Sequence, residues 1–105
     1  MDLANAVDSK DVTRVFVIGG SAAYGSGASS TDTRWYMELE RLLSKGLKRQ
    51  VRLIPAAMGA YVSTQERMVL ELIVLPRRPD CVIILNGYND LVNCLTYCTR
   101  PGDVL

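Results

Sequence analysis

The 105-residue sequence contains no histidine. That absence removes the side chain that most often serves as general base and as metal ligand. Cysteine is scarce too. Cys81, Cys94 and Cys98 are an odd number with no C-x-x-C pair, which argues against a disulfide framework. Cys94 and Cys98 stand four residues apart on an expected helix, but without histidine or a second cysteine pair no zinc site is expected. All three read as reduced, structural thiols.

Excess charge is also missing. The formal net charge is +1, so there is no electrostatic case for nucleic acid or an anionic membrane as partner. No apolar run approaches the ~20 residues of a membrane span. The opening "MDLANAVDSKDVTR" lacks a basic segment followed by an apolar one, so it does not read as a signal peptide. A cytoplasmic chain is expected. Low-complexity tracts, charge blocks and repeats are absent.

What remains is ordinary globular composition, 49% apolar and 22% charged. The length allows one small domain, burying roughly 65% of its unfolded surface. Residues 1–13 read as a flexible polar tail and 14–105 as the domain.

Strands and helices alternate. Arg14–Ile18 is β-branched and aromatic, the pattern of a buried parallel strand. Gly19–Ser30 reads as a Gly/Ser-rich loop. Thr33–Lys45 is an amphipathic helix with Trp35, Tyr36, Leu39, Leu42 and Leu43 on one face, Thr31 or Asp32 capping its start and Gly46 its stop. Val51–Ile54 is a second strand ended by Pro55, and Ala56–Ser63 a small-residue loop. Thr64–Leu75 is a second amphipathic helix with Met68, Leu72 and Leu75 on one side. The turn "PRRPD" leads to a third buried strand, Cys81–Leu85. "NGYND" opens a last helical stretch to about Tyr97, and "TRPGDVL" is irregular. Trp35 and the methionines read as core, Tyr24 and Tyr61 as packing residues, Arg77 and Arg78 as a solvated turn. The β-α-β-α-β-α order implies an α/β fold with a parallel sheet. The third strand is as apolar as a central one, with nothing after it to pair with.

In open α/β sheets, ligands bind beyond the carboxyl ends of the strands. Three loops fall there: Gly20-Ser21, Met58-Gly59-Ala60 and Gly87-Tyr88-Asn89-Asp90. One hydroxyl, a group of small residues with free N–H groups and one carboxamide therefore meet at one edge. Acyl transfer needs such parts, a nucleophile and donors aimed at a forming oxyanion.

These loops resemble blocks I, II and III of the SGNH (GDSL-type) hydrolases. "GGSAAYG" resembles the Gly-Asp-Ser block, "IPAAMGAYVSTQE" the second block, and "GYND" matches Gly-x-Asn-Asp. The order fits, with 39 residues from Ser21 to Ala60 and 29 more to Asn89. The resemblance covers residues 14 to 97. It implies a three-layer parallel sheet, the flavodoxin-like SGNH hydrolase fold, truncated after its third strand. It also implies a carboxylic-ester hydrolase acting on small or medium acyl esters, sugar O-acetyl groups included, with no metal or organic cofactor.

Carried over by position, Ser21 resembles the nucleophile, its own N–H one oxyanion donor. Asn89 resembles the side-chain donor. The second backbone donor falls at Ala60, with Gly59 as the neighbouring candidate. Gly20 and Tyr88 are expected to line the substrate pocket, and Asp90 to orient the loop. Glycine is usual at the Ala60 position, so alanine is strained there if the backbone needs a positive φ. Pro55 replaces an asparagine that commonly ties the loops, and Gly20 replaces the aspartate before the nucleophile.

The fourth block, Asp-x-x-His, has no counterpart. A serine hydroxyl without a base is a weak nucleophile. Losing a triad histidine costs about 10⁶-fold in kcat, while oxyanion parts alone retain roughly 10³-fold over water. This chain by itself is therefore expected to be nearly inert.

Other readings compete. Ser21 can be a turn serine and Asn89-Asp90 an Asx turn or helix cap. Neither a Rossmann G-x-G-x-x-G nor a Walker loop fits around Gly19–Gly27, and a G-x-S-x-G elbow normally follows several strands. The rival of another class is a non-catalytic module that binds a ligand in the same pocket, or pairs with a partner or a second copy through the third strand's edge. A nucleotide-binding domain is a weaker third.

Overall fold

The computed structural model describes residues 11–98 and 100–104. The chain forms β1 (Val12–Gly19), α1 (Ser21–Tyr24), a 3₁₀ turn (Thr31–Thr33), α2 (Trp35–Leu47), β2 (Gln50–Pro55), α3 (Ser63–Val69), β3 (Cys81–Leu85) and α4 (Tyr88–Tyr97). The three strands form one parallel sheet in the order β2-β1-β3. The expected tail ends earlier than position 13, because Val12 and Thr13 already pair with β2. Residues 1–10 of that tail lie outside the described residues, as do Thr99 and Leu105 of the irregular end.

β1 is buried on both faces because it has a strand on each side and helices above and below. Val15 and Val17 face α2 with Val51, Leu53 and Tyr36. Phe16 and Ile18 face α3 with Ile54, Val69 and Val74. These two alternating sets make the three-layer α/β/α arrangement. Tyr24 and Trp35 pack at the rim of the first cluster, Tyr61 at that of the second.

Several local expectations need correction. The Gly19–Ser30 loop contains the one-turn helix α1. Thr31 and Asp32 do not cap α2; they form their own 3₁₀ turn, and the extended Arg34 precedes the helix. α2 runs through Gly46 to Leu47 and ends at Lys48, whose φ is 54°. Leu42 on its expected core face is exposed. α3 follows the 3.6 period only to Val69. Leu70–Val74 winds as a π turn and Leu75–Arg77 as a 3₁₀ turn. The i→i+5 step brings Val69 and Val74 to the core together. Met68, Leu72 and Leu75, expected to share the apolar side, face outward instead. Met58 is exposed too; Met37 packs on the core. β3 is an edge strand, only partly covered rather than buried.

Arg14 fastens the amino end of the sheet. Its buried guanidinium donates to the carbonyls of Arg77 and Arg78, and its N–H to Asp80 Oδ2 at 2.8 Å. The Asp80 N–H returns a 3.0 Å bond to the Arg14 carbonyl. The turn before β3, expected to be only solvated, is thus tied to the start of β1.

Candidate active site

At the carboxyl end of the sheet the chain is crowded. A Cβ on Gly19 would lie 2.2 Å from the Leu85 carbonyl oxygen and 2.6 Å from the Ala23 Cβ. Only glycine allows β1, β3 and α1 to meet this closely. The next loop is stitched to the same strand. Ala56 N–H donates to the Val17 carbonyl at 2.8 Å and Met58 N–H to the Gly19 carbonyl at 3.2 Å.

Ser21 opens α1, so its N–H is one of the first-turn groups with no acceptor inside the helix. Asn89 stands on the first turn of α4. Its Nδ2 donates a 2.8 Å bond to the Tyr61 carbonyl, which leaves one N–H of the amide for a ligand. The same nitrogen lies 2.5 Å from where a Gly20 Cβ would be, and the Tyr61 carbonyl oxygen 3.5 Å. Gly20, the Tyr61 end of the second loop and Asn89 therefore converge.

Asp90 holds that convergence from behind. Its buried carboxylate accepts from Ser63 N–H at 3.0 Å, Ser63 Oγ at 2.8 Å and Gly102 N–H. The carboxylate binds the start of α3, the start of α4 and the chain's last turn into one unit.

Gly20, Ser21, Tyr88 and Asn89 line a single cleft of about 80 Å³, together with Tyr61, Leu85 and Asn86. Tyr88 is 72% exposed at its mouth. Ala60 does not line this cleft. It lines an adjoining cavity of about 220 Å³, with Asn89 as the shared wall. Gly59 lines neither. The φ of Ala60 is 64°, the left-handed conformation expected to strain alanine. Met58 to Tyr61 closes as a turn through a 3.4 Å bond, with Ala60 at its third position.

One residue of the cleft was not visible in the sequence. Glu66, in the first turn of α3, is 3% exposed and lines the same cleft as Ser21. Burial pushes its carboxyl above the ordinary carboxylate range. A hydrogen bond with Asn86 opposes the shift, and the Asp90 charge adds to it. Its only sequence signal was Ser63-x-x-Glu66, which reads as a helix-capping pair. Gln65 takes that part, its Oε1 accepting from Val62 N–H at 3.0 Å.

Among the described residues no cluster of three His, Cys, Asp or Glu could hold a metal ion. No helix among them is long and apolar enough to cross a membrane.

Neither a family model nor a curated protein matches the chain. Solved structures do. An acetyl xylan esterase from Geobacillus stearothermophilus superposes with a TM-score of 0.65 at 18% identity, over 89% of this chain and 46% of that one. A second acetyl xylan esterase, AlAXEase, gives 0.62 at 25% identity, over 83% and 43%. A protein assigned as a GDSL-like lipase from Parabacteroides merdae gives 0.66 at 18%, over 90% and 48%. The chain has the α/β fold of SGNH (GDSL-type) hydrolases, an esterase-like fold. It spans less than half the length of these neighbours.

Proposed function

We propose that this chain carries the nucleophile and oxyanion half of a serine carboxylic-ester hydrolase. The observation that carries the reading is the shared cleft of Ser21 and Asn89, with Gly20 packed beneath the amide. In this reading Ser21 Oγ attacks the acyl carbonyl carbon. The Ser21 N–H and the second amide hydrogen of Asn89 meet the oxygen that becomes negative, while Ala60, on the adjoining cavity, stands outside this pair. Gly20 and Tyr88 line the way in. No step calls for a metal or an organic cofactor.

The substrate class proposed is a small acyl ester, acetyl esters of sugars included. The cleft is well below the ~300 Å³ that drug-sized ligands fill. It suits a short acyl group, with the alcohol part lying outside past Tyr88. Two of the structural neighbours are acetyl xylan esterases.

The base is proposed to come from residues outside this sequence, which holds no histidine. Exogenous imidazole can stand in for it. The test is phosphonylation of the chain by a small fluorophosphonate, followed by intact-mass and peptide mapping. One adduct on Ser21, formed faster with imidazole and lost in Ser21→Ala, is the expected result. An adduct spread over other hydroxyls, or none with imidazole present, overturns the reading. The outcome would then favour a module that binds without chemistry.

A further inference from the structure

Arg34 is held at three points. Its stem lies against Gly25, where a Cβ would stand 2.9 Å from the Arg34 Cγ and 3.0 Å from its Cβ. Its guanidinium carbon sits 4.2 Å from the centre of the Tyr24 ring. Its Nη1 donates to the Tyr36 hydroxyl at 3.0 Å. A guanidinium stacked on a ring keeps its N–H groups in the plane of the fork, open to an acceptor. Fixing so long a side chain in advance removes much of the ordering cost of binding.

These residues wall a cavity of about 330 Å³, together with Glu40, Arg52 and Pro55. It lies at β2, an outer strand of the sheet, and shares no lining residue with the Ser21 cleft. The two spaces stand at opposite ends of α1, which Ser21 opens and Tyr24 closes. Its volume is in the range of small-molecule sites, which begin at roughly 300 Å³.

The lining holds donors without acceptors. Tyr36 is 1% exposed. An arginine can only donate, so the Tyr36 oxygen is the acceptor of their bond and its own O–H is left over. No acceptor for it is found among the described residues. Arg52 is half-buried and has no partner among them either. The one carboxylate, Glu40, spends Oε2 on Leu53 N–H at 2.9 Å. Two arginines against one engaged glutamate leave the cavity with surplus positive charge.

We propose that this cavity is a binding site for a negatively charged monosaccharide, a sugar acid or a sugar phosphate. The anionic oxygens take the Tyr36 O–H and the forks of Arg34 and Arg52. The ring rests on the apolar walls of Met37 and Pro55, and its hydroxyls meet Glu40 Oε1 and the Thr31 hydroxyl. The site stands independently of the esterase reading.

The test is calorimetric titration of the chain with glucuronate, glucose 6-phosphate, glucose and inorganic phosphate. One-to-one binding of a charged sugar is expected, and which of the two binds tells carboxylate from phosphate. Glucose should not bind. Tyr36→Phe removes one hydroxyl and Arg52→Gln one charge, and each should weaken binding about 10-fold or more. Ser21→Ala, in the other cleft, should leave it unchanged. Arg52→Gln keeps every contact of the Arg34 brace, so it decides alone if Tyr36→Phe does not fold. Absence of binding by both charged sugars overturns the proposal. So does glucose or inorganic phosphate bound as tightly as the charged sugar, or an affinity that either variant leaves unchanged. Adduct formation on Ser21 is read separately, so either result can fail without the other.

Discussion

A Cβ on Gly20 would stand 2.5 Å from Nδ2 of Asn89. The bare backbone before Ser21 is what lets the amide lie down on it. The resembled family usually has an aspartate at this position, and here that side chain and the amide compete for one space. Gly20→Asp is therefore expected to push Asn89 off the Tyr61 carbonyl. The loss of one hydrogen bond costs about 1 kcal/mol, read as a lower midpoint in urea. Imidazole-assisted phosphonylation of Ser21 should fall far more, by ~10²-fold or greater, as when an oxyanion donor is removed.

Ala60 holds a φ of 64° at the third position of the Met58–Tyr61 turn. A left-handed L-residue costs roughly 1–2 kcal/mol, while glycine adds about 0.4–1 kcal/mol of unfolded-state entropy. Ala60→Gly is expected to raise stability by about 0.5–1 kcal/mol, measured by thermal and urea unfolding. Ala60→Val, β-branched, should lower it by more than that.

Asp90 satisfies three donors with one buried carboxylate. Asp90→Ala strands them and frees the start of α4 from α3. A loss of about 3 kcal/mol is expected from hydrogen bonds to a charged group. Hydrogen exchange should show Ser63 and Gly102 amides opening before the β1 amides do.

Glu66 ties stability to pH with a definite sign. Its carboxyl is raised in the folded chain, by burial first and by Asp90 as well. The folded state thus binds the proton more tightly than the unfolded one. The stabilisation is complete below the unfolded glutamate's pKa and is lost as pH rises through the folded value. Tm should fall across that window in wild type. Glu66→Gln should flatten the fall and unfold at the higher temperature at neutral pH.

The two outer strands differ in how their edges are covered. On β2, Val51 N–H donates to Ser44 Oγ at 3.1 Å and Leu53 N–H to Glu40 Oε2 at 2.9 Å, so α2 shields it. β3 instead carries Ile84 at 51% exposure and an exposed Leu85. An apolar edge of this kind invites another strand. Self-association through β3 is the expected behaviour of the chain, detected by sedimentation over a concentration series. Ile84→Lys should shift it towards monomer, and Leu47→Lys, on the α2 end, should not.

The sheet was legible because its signals are short and local. β-branched runs ending in Gly19, Pro55 and Leu85-Asn86 mark strands and their carboxyl ends without reference to anything distant. The meeting of Ser21 and Asn89 followed from that topology. The second helix was misread because one extra residue per turn over Leu70–Val74 rotates every later side chain, and no residue type announces a π turn. Glu66 was missed for a different reason. A glutamate in a helix's first turn normally faces water, and only the approach of β3 and α4, far along the chain, encloses it. The strain at Ala60 was stated as a condition in the sequence and became a fact only with the backbone angle.

Arg14 and Asp80 lock the first rungs of β1 and β3, and the residues proposed to do chemistry stand at the last ones. Each strand thus serves as a ruler, zeroed at the buried guanidinium and read off at Ser21 or Asn89. Inserting or deleting one residue between zero and mark would also turn alternate side chains over to the opposite face. Every group of the site would still be present in the sequence, yet the hydroxyl and the amide would no longer share a cleft. The length of β1 and β3, and not only the composition of their loops, is part of what specifies the site.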